Sequence, residues 1–259
     1  MSLVLTEVDD NIGTITLNSP DKLNALSHAL IADFMAALEE MKASDVRVVI
    51  LRAPEGSRIW SAGHDIRELE SSGHDPQSYG APLRSAVRAI ERFPHPIIAL
   101  IEGGVWGEAC EIAVSCDLLV ATPNSTFAIT PAKLAVAYSL GGVLNFMKSV
   151  GLPFLREMLF TAGPVTAERA LHFGLINHVV PAEEIERFTV KLAQQIAQNS
   201  PLGVSLLKEE LRILAEAYPL TPEAFERVQQ LRRALYGSED YQEGIRSFFE
   251  KRKPQFEGK

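Results

Sequence analysis

The chain opens with apolar and polar positions in short alternating runs and closes with repeats at helical spacing. Residues 3–7 and 12–17 read as two strands, with Asp9, Asp10, Asn11 and Gly13 forming the turn between them. From Ser27 to Met41, the residues Leu30, Ile31, Phe34, Met35, Leu38 and Met41 recur with the period of a helix. Val46 to Leu51 is a β-branched apolar run that predicts a buried strand, and Ile97–Ile101 and Leu118–Thr122 predict two more. Between those last two lie a Gly-Gly turn and a helical pattern from Glu108 to Cys116. The segment 67–82, with Ser71, Ser72, Gly73, Asp75, Pro76, Gly80 and Pro82, predicts a loop suited to walling a site.

Strand, helix, strand, helix in that order predicts an α/β core in two layers. Strand–helix units return at roughly equal intervals, without a fixed-period sequence repeat. Beyond about Gly151 the pattern is helical: Thr221, Pro222 and Glu223 signal a helix start and Gly237 a stop. Ser238 caps a last helix with Glu239 and Asp240 in its first turn and Lys251, Arg252 and Lys253 at its end, a charge order that suits the helix dipole. The division expected is a core over residues 1–195 and a helical region over 196–259 that packs on a neighbouring chain.

Composition narrows the function classes. The 259 residues are 46% hydrophobic and 22% charged with a net charge of −8, an ordinary globular balance. The acidic excess argues against nucleic acid or an anionic membrane as main partner. Cys110 and Cys116 are the two cysteines, too few for a disulfide framework and not at zinc-ligand spacing, so they read as small core residues. His74, Asp75 and His95 also lack metal-ligand spacing, and no metal is expected. With no basic-then-apolar leader and no apolar run near ~18 residues, a cytoplasmic location is expected.

Three segments carry candidate chemistry: Trp60–Ile66, a loop leading into a helix-like stretch; Gly103–Glu111, where a strand ends and a helix begins; and Ala132–Gly142. In the second, a glycine-rich turn leaves the first amides of a helix unpaired, able to meet an anion or an oxyanion developing during reaction. Taken alone, it reads first as a tight turn that changes chain direction.

Leu23-Asn24-Ala25-Leu26-Ser27, then SAGHDI over 61–66, then WGEACEIAVSCDLLVA over 106–121 resemble the crotonase (enoyl-CoA hydratase/isomerase) superfamily in content, order and spacing. The likeness continues to the end of the chain through Ser238–Gly244 and Glu250–Pro254. It implies a spiral of ββα units followed by a helical trimerisation region, in a homotrimer or a dimer of trimers. It also implies an acyl-CoA thioester substrate whose carbonyl is bound by two backbone amides, which map to His64 and Glu108. His64, Trp106 and Tyr138 point within the superfamily to members that decarboxylate methylmalonyl-CoA or a similar short malonyl-CoA. Such a reaction needs no added cofactor, because the thioester itself accepts the electrons as an enolate.

By the same resemblance Tyr138 is the hydroxyl that orients the departing carboxylate. Glu111 matches the first of the two glutamates with which hydratases of the family add water. The second falls on Pro131, which moves no proton, so ordinary hydration is expected to be absent or poor. Glu111 then either hydrogen-bonds within the site or gives a proton to the enolate. Coenzyme A contacts map to Lys22, Asn24, Ala25, Leu26, Ala62, His64, Asp65, Ile66, Trp106, Gly107 and Pro131, with Phe248 and Lys251 contributed by the neighbouring subunit. Glu108 departs from the family, which has glycine there. If that position needs a positive φ, glutamate is strained by roughly 1 kcal/mol or more. Its carboxylate turns out of the site, becomes a new acid–base group, or leaves an impaired enzyme. Two other functions stay open: another crotonase reaction such as hydration or isomerisation, and a non-catalytic acyl-CoA-binding subunit.

Overall fold

A computed structural model describes residues 2–71, 76–215 and 222–257. Among them the strands are, in chain order, β1 (Val4–Asp9), β2 (Ile12–Leu17), β3 (Val48–Arg52), β4 (Ile59–Ser61), β5 (Ile97–Ile101), β6 (Gly104–Trp106), β7 (Leu118–Ala121), β8 (Thr126–Ala128), β9 (Val165–Thr166) and β10 (His178–Val179). The helices are α1 (His28–Ala43), α2 (Ile66–Ser71), α3 (Pro76–Glu91), α4 (Ala109–Ser115), α5 (Leu140–Ser149), α6 (Leu152–Thr161), α7 (Ala167–His172), α8 (Ala182–Ala197), α9 (Pro201–Ala215), α10 (Pro222–Tyr236) and α11 (Glu239–Phe249). Short 3₁₀ turns cover Pro20–Lys22 and Pro131–Leu134.

The strands divide between two sheets. One runs β1-β2-β3-β5-β7-β10, parallel apart from the β1–β2 hairpin. The other runs β4-β6-β8-β9, with only β9 antiparallel. Each successive pair (β3 with β4, β5 with β6, β7 with β8) gives its first strand to one sheet and its second to the other. That repeated hand-over is the ββ spiral, and it makes the core an α/β structure with two sheets. The sequence reading contained the long sheet but not the second one, whose strands of two or three residues are too short to show a period.

The continuous apolar runs of β3 and β5 follow from burial on both faces. Val49, Leu51, Ile97, Ala99 and Ile101 face the main core with α1, α3 and α4, while Val48, Ile50, Ile98 and Leu100 pack against Ile185 and Ala193 of α8. The first hairpin turns on Asp10 and Asn11, at φ 43° and 63°, the two left-handed residues that a tight hairpin turn needs. Gly13 therefore belongs to β2 rather than to the turn. Cys110 and Cys116 are buried free thiols, as expected for small core residues, and burial pushes the Cys110 thiol up to about 12.

The loop expected over 67–82 is a correction. Residues up to Ser71 continue α2 and those from Pro76 begin α3, while 72–75, including Ser72, Gly73, His74 and Asp75, lie outside the described residues. Pro76 at the first helical position sacrifices no hydrogen bond. Gly80 and Pro82 are poor helix formers, but Leu83, Ala86, Val87 and Ile90 form an apolar stripe sunk in the core, and packing overrides propensity.

The helical C-terminal region is present, with α10 starting at Pro222 (Thr221 lies outside the described residues) and ending before Gly237. Ser238 caps α11, its side chain accepting from the Tyr241 amide at 3.1 Å. α11 then turns back onto the core, where Tyr241 and Ile245 pack with Ile66, Val136 and Tyr236. No helix among the described residues is long and apolar enough to cross a membrane.

Candidate active site

Two strand ends build the site. β4 and β6 are parallel neighbours, so the residues that follow them, Ala62–His64 and Gly107–Glu108, emerge side by side. Gly63 and Gly107 take φ 84° and 58°, conformations that any side chain would strain. A Cβ on Gly63 would sit 2.5 Å from the Trp106 carbonyl oxygen and 3.0 Å from the Glu108 nitrogen. The two segments are thus in direct backbone contact, and His64 and Glu108 both line one cavity of about 770 Å³, counting its open mouth. The Glu108 amide makes no hydrogen bond among the described residues.

Glu108 is not strained. It is the residue capping α4, at φ −69° and ψ −16°, and Gly107 before it carries the positive φ instead. Its carboxylate does not turn out to solvent either, but reaches the His64 ring, Oε2 to Nδ1, at 2.9 Å. Burial alone would lower the His64 pKa. The hydrogen bond and charge of Glu108, with Glu68 and Asp65 adding, outweigh it and hold the imidazole above its ordinary value. The Glu108 carboxylate and the His64 ring are thus partners across the two segments.

Behind this pair lies a second polar cluster. Glu111, on the first turn of α4, is 1% exposed. Burial, and then the nearby Glu108 charge, raise its pKa to about 8, against the opposing pull of a Ser139 hydrogen bond. Ser139 Oγ lies 3.1 Å from both Glu111 oxygens and accepts from the Gly142 amide at 2.8 Å, capping α5. The Tyr138 hydroxyl is buried without a hydrogen-bond partner among the described residues. Burial, reinforced by Glu111, raises its pKa and keeps it a neutral donor. Gly142 permits this crowding: a Cβ there would lie 2.5 Å from Glu111 Oε2 and 2.6 Å from Tyr138 Cε1. Arg232 of α10 donates to the Tyr138 carbonyl at 2.6 Å, tying the helical tail to this loop.

A wider groove of about 1340 Å³, open to solvent, runs outward past Lys22, Leu23, Ala25, Asp65, Ile66 and Trp106 to Phe248. It shares Ala62 and His64 with the inner cavity. Gly107 and Pro131 line the inner cavity. Asn24 and Leu26 do not line the groove. Asn24 is 1% exposed, its side chain tying Ser19 and Trp60 together, and Leu26 belongs to the core, so both shape the loop from behind. Phe248 lines the groove of its own chain, where α11 folds back. Lys251 lies beyond the end of α11 in a left-handed conformation and does not line this groove. Asp65 is held by Arg67 through two side-chain hydrogen bonds of 2.9 and 2.8 Å, which lower its pKa.

Sequence reasoning passed over Ser139, Lys133, Arg84, Arg232 and Tyr236, all of which line one cavity or the other. Ser139 carried a signal, as a cap residue three places before Gly142. Arg232 and Tyr236 carried none, since only the return of the tail onto the core brings α10 to the site.

Comparison with known proteins identifies the family. A family model described as enoyl-CoA hydratase/isomerase matches residues 7–259. The chain is 49% identical over 249 residues to the methylmalonyl-CoA decarboxylase of Escherichia coli (strain K12), covering 96% of this chain and 95% of that protein. It is 32% identical to a probable mitochondrial enoyl-CoA hydratase of Dictyostelium discoideum, covering 98% of this chain and 90% of the other. Among solved structures, a methylmalonyl-CoA decarboxylase in complex with 2-nitronate-propionyl-CoA superposes with a TM-score of 0.96 at 48% identity, covering 99% of both chains. The chain belongs to the enoyl-CoA hydratase/isomerase family.

Proposed function

We propose that this protein decarboxylates methylmalonyl-CoA, or a similarly short malonyl-CoA, to the saturated acyl-CoA. The single observation that carries the reading is the contact of Gly63 with the Trp106–Glu108 backbone, which turns two strand ends toward one cavity. The relatives named above as methylmalonyl-CoA decarboxylases support the choice of substrate.

The amides of His64 and Glu108 receive the thioester oxygen. As the carbon–carboxylate bond breaks, its electron pair moves into the thioester and negative charge grows on that oxygen, where fixed donors lower the barrier. Removal of one such donor costs about 3 kcal/mol. The thioester is the electron sink, so the reaction uses no added cofactor or metal. The neutral Tyr138 hydroxyl, on a residue that lines neither cavity, is the donor assigned to the departing carboxylate. Glu111, protonated at neutral pH, is the source of the proton that ends on the α-carbon. Pro131 occupies the place where a hydratase would need its second glutamate, which disfavours addition of water.

Lys22 and Lys133 line the outer groove and make no ion pair among the described residues, so they can meet coenzyme A phosphates. Leu23 and Phe248 supply apolar surface beside them. Residues 196–259 form the oligomerisation region of a homotrimer or dimer of trimers. In support, α9 buries no residue within the chain and exposes Leu202, Leu206, Leu207, Leu211 and Leu214. A cytoplasmic location completes the reading.

Incubation with methylmalonyl-CoA should release carbon dioxide and form propionyl-CoA in equal amounts. Background release combined with rapid hydration of crotonyl-CoA would transfer the protein to the hydratases. Tight coenzyme A binding with no turnover of either thioester would make it a binding subunit. The pH profile should follow Glu111. Its acid form is the active one, so kcat holds below pH 8 and falls as pH rises through about 8. In Glu111→Gln that alkaline limb should disappear together with most of the activity.

A further inference from the structure

Glu111 is sealed from the cavity, and Ser139 stands between them. Glu111 is 1% exposed, whereas Ser139 lines the cavity with its Oγ 3.1 Å from both carboxyl oxygens. A serine hydroxyl has one hydrogen and two lone pairs. The Gly142 amide fills one lone pair at 2.8 Å, which leaves one acceptor and one donor position. When Glu111 is a carboxylate, the hydroxyl hydrogen must point to it. When Glu111 is a carboxylic acid, its proton fills the remaining lone pair, and the serine hydrogen turns to the cavity. The direction of one hydrogen thus reports the state of a group that the substrate does not reach.

We propose that Ser139 is a catalytic residue, its hydroxyl passing the proton of Glu111 to the α-carbon of the acyl-CoA enolate. This rests on the decarboxylase reading and names the step that follows loss of carbon dioxide. The enolate carbon takes the Ser139 hydrogen, forming a C–H bond while the thioester C=O is restored. The Ser139 oxygen takes the Glu111 proton in the same movement, and Glu111 is left as a carboxylate. One proton from water resets it. Over the cycle, a malonyl carboxylate and a proton become carbon dioxide and a C–H bond.

The amide bond from Gly142 gives Ser139 a structural task as well, so the decisive variant must keep the cap. Asparagine caps helices as well as serine does but has no hydroxyl. Ser139→Asn should therefore keep the wild-type melting temperature and lose about 10²-fold in kcat, within the range for general acid catalysis. Ser139→Thr, which keeps the hydroxyl, should stay within about tenfold of wild type. Adding Ser139→Asn to Glu111→Gln should cost little more, since both interrupt one path.

A second readout separates relay from packing. Turnover of methylmalonyl-CoA in an equal mixture of H₂O and D₂O leaves a protium-to-deuterium ratio on the product α-carbon, measurable by mass spectrometry. Wild type and Ser139→Thr should share one ratio, and Ser139→Asn should shift to another, set by direct protonation from water. A Ser139→Asn protein with wild-type kcat and wild-type ratio overturns the relay while leaving the decarboxylase reading intact. If wild type itself releases no carbon dioxide, the decarboxylase reading fails first and takes the relay with it.

Discussion

Gly63→Ala should fold normally and lose about 10³-fold in turnover, on the scale of removing an oxyanion donor. The added Cβ would lie 2.5 Å from the Trp106 carbonyl oxygen and 3.0 Å from the Glu108 nitrogen, both backbone atoms that cannot swing aside. Relief requires the ends of β4 and β6 to separate, and that separation pulls apart the amides of His64 and Glu108. A displacement near 1 Å is worth on the order of 10²-fold by itself. The positive φ at Gly63 adds strain, which a control can subtract. Gly56 has φ 70° and nothing within 4 Å of its would-be Cβ, so Gly56→Ala imposes similar strain without the collision. Gly56→Ala should retain full activity. Steady-state kinetics with thermal unfolding of both variants checks this, and equal activities would remove the close approach from the mechanism.

His64→Ala is the second large effect, and its sign is not what a residue contributing only an amide would give. The variant keeps the backbone donor but removes the ring held 2.9 Å from the Glu108 carboxylate. That carboxylate then faces a forming oxyanion unscreened. At about 5 Å and an effective dielectric near 20, the repulsion is about 3 kcal/mol, or roughly 10²-fold in rate. His64→Ala combined with Glu108→Gly keeps both amides and discards both charges, and activity should return to within about tenfold of wild type. If His64→Ala is as active as wild type, the carboxylate does not act on the site. If the double variant is no better than His64→Ala, the ring is needed for something other than neutralising Glu108.

The parts of this molecule that were legible in its sequence are those with a local physical signature. β3 and β5 announced themselves as unbroken apolar runs because a parallel sheet is buried on both faces. Ser238 announced α11 because capping chemistry is confined to a few adjacent residues. Gly63 and Gly107 could be seen as glycines beside a candidate site, but not as the pair on which two segments meet. The second sheet stayed hidden, since its strands end before a period can form. α3 was masked by Gly80 and Pro82, whose poor propensity is offset by core contacts made far along the chain.

At the site, residue types were legible and their pairings were not. Glu108 stood out as a carboxylate in place of glycine, and its choice of φ and of partner depends on Gly107 and on His64, 44 residues away. Ser139 went unremarked because the sequence does not show that Glu111 lies on its other side. Each miss concerns a contact between residues distant in the chain.

The central claim is that two backbone amides polarise the thioester in spite of Glu108, and vibrational spectroscopy of bound ligand tests it most directly. Propionyl-CoA labelled with ¹³C at the thioester carbonyl gives an infrared band distinguishable from protein amides. On saturating binding, the band should move to lower wavenumber than in free propionyl-CoA, and the shift should shrink in Gly63→Ala. A band at its free position, with the ligand fully bound, would contradict the claim that these amides form an oxyanion hole.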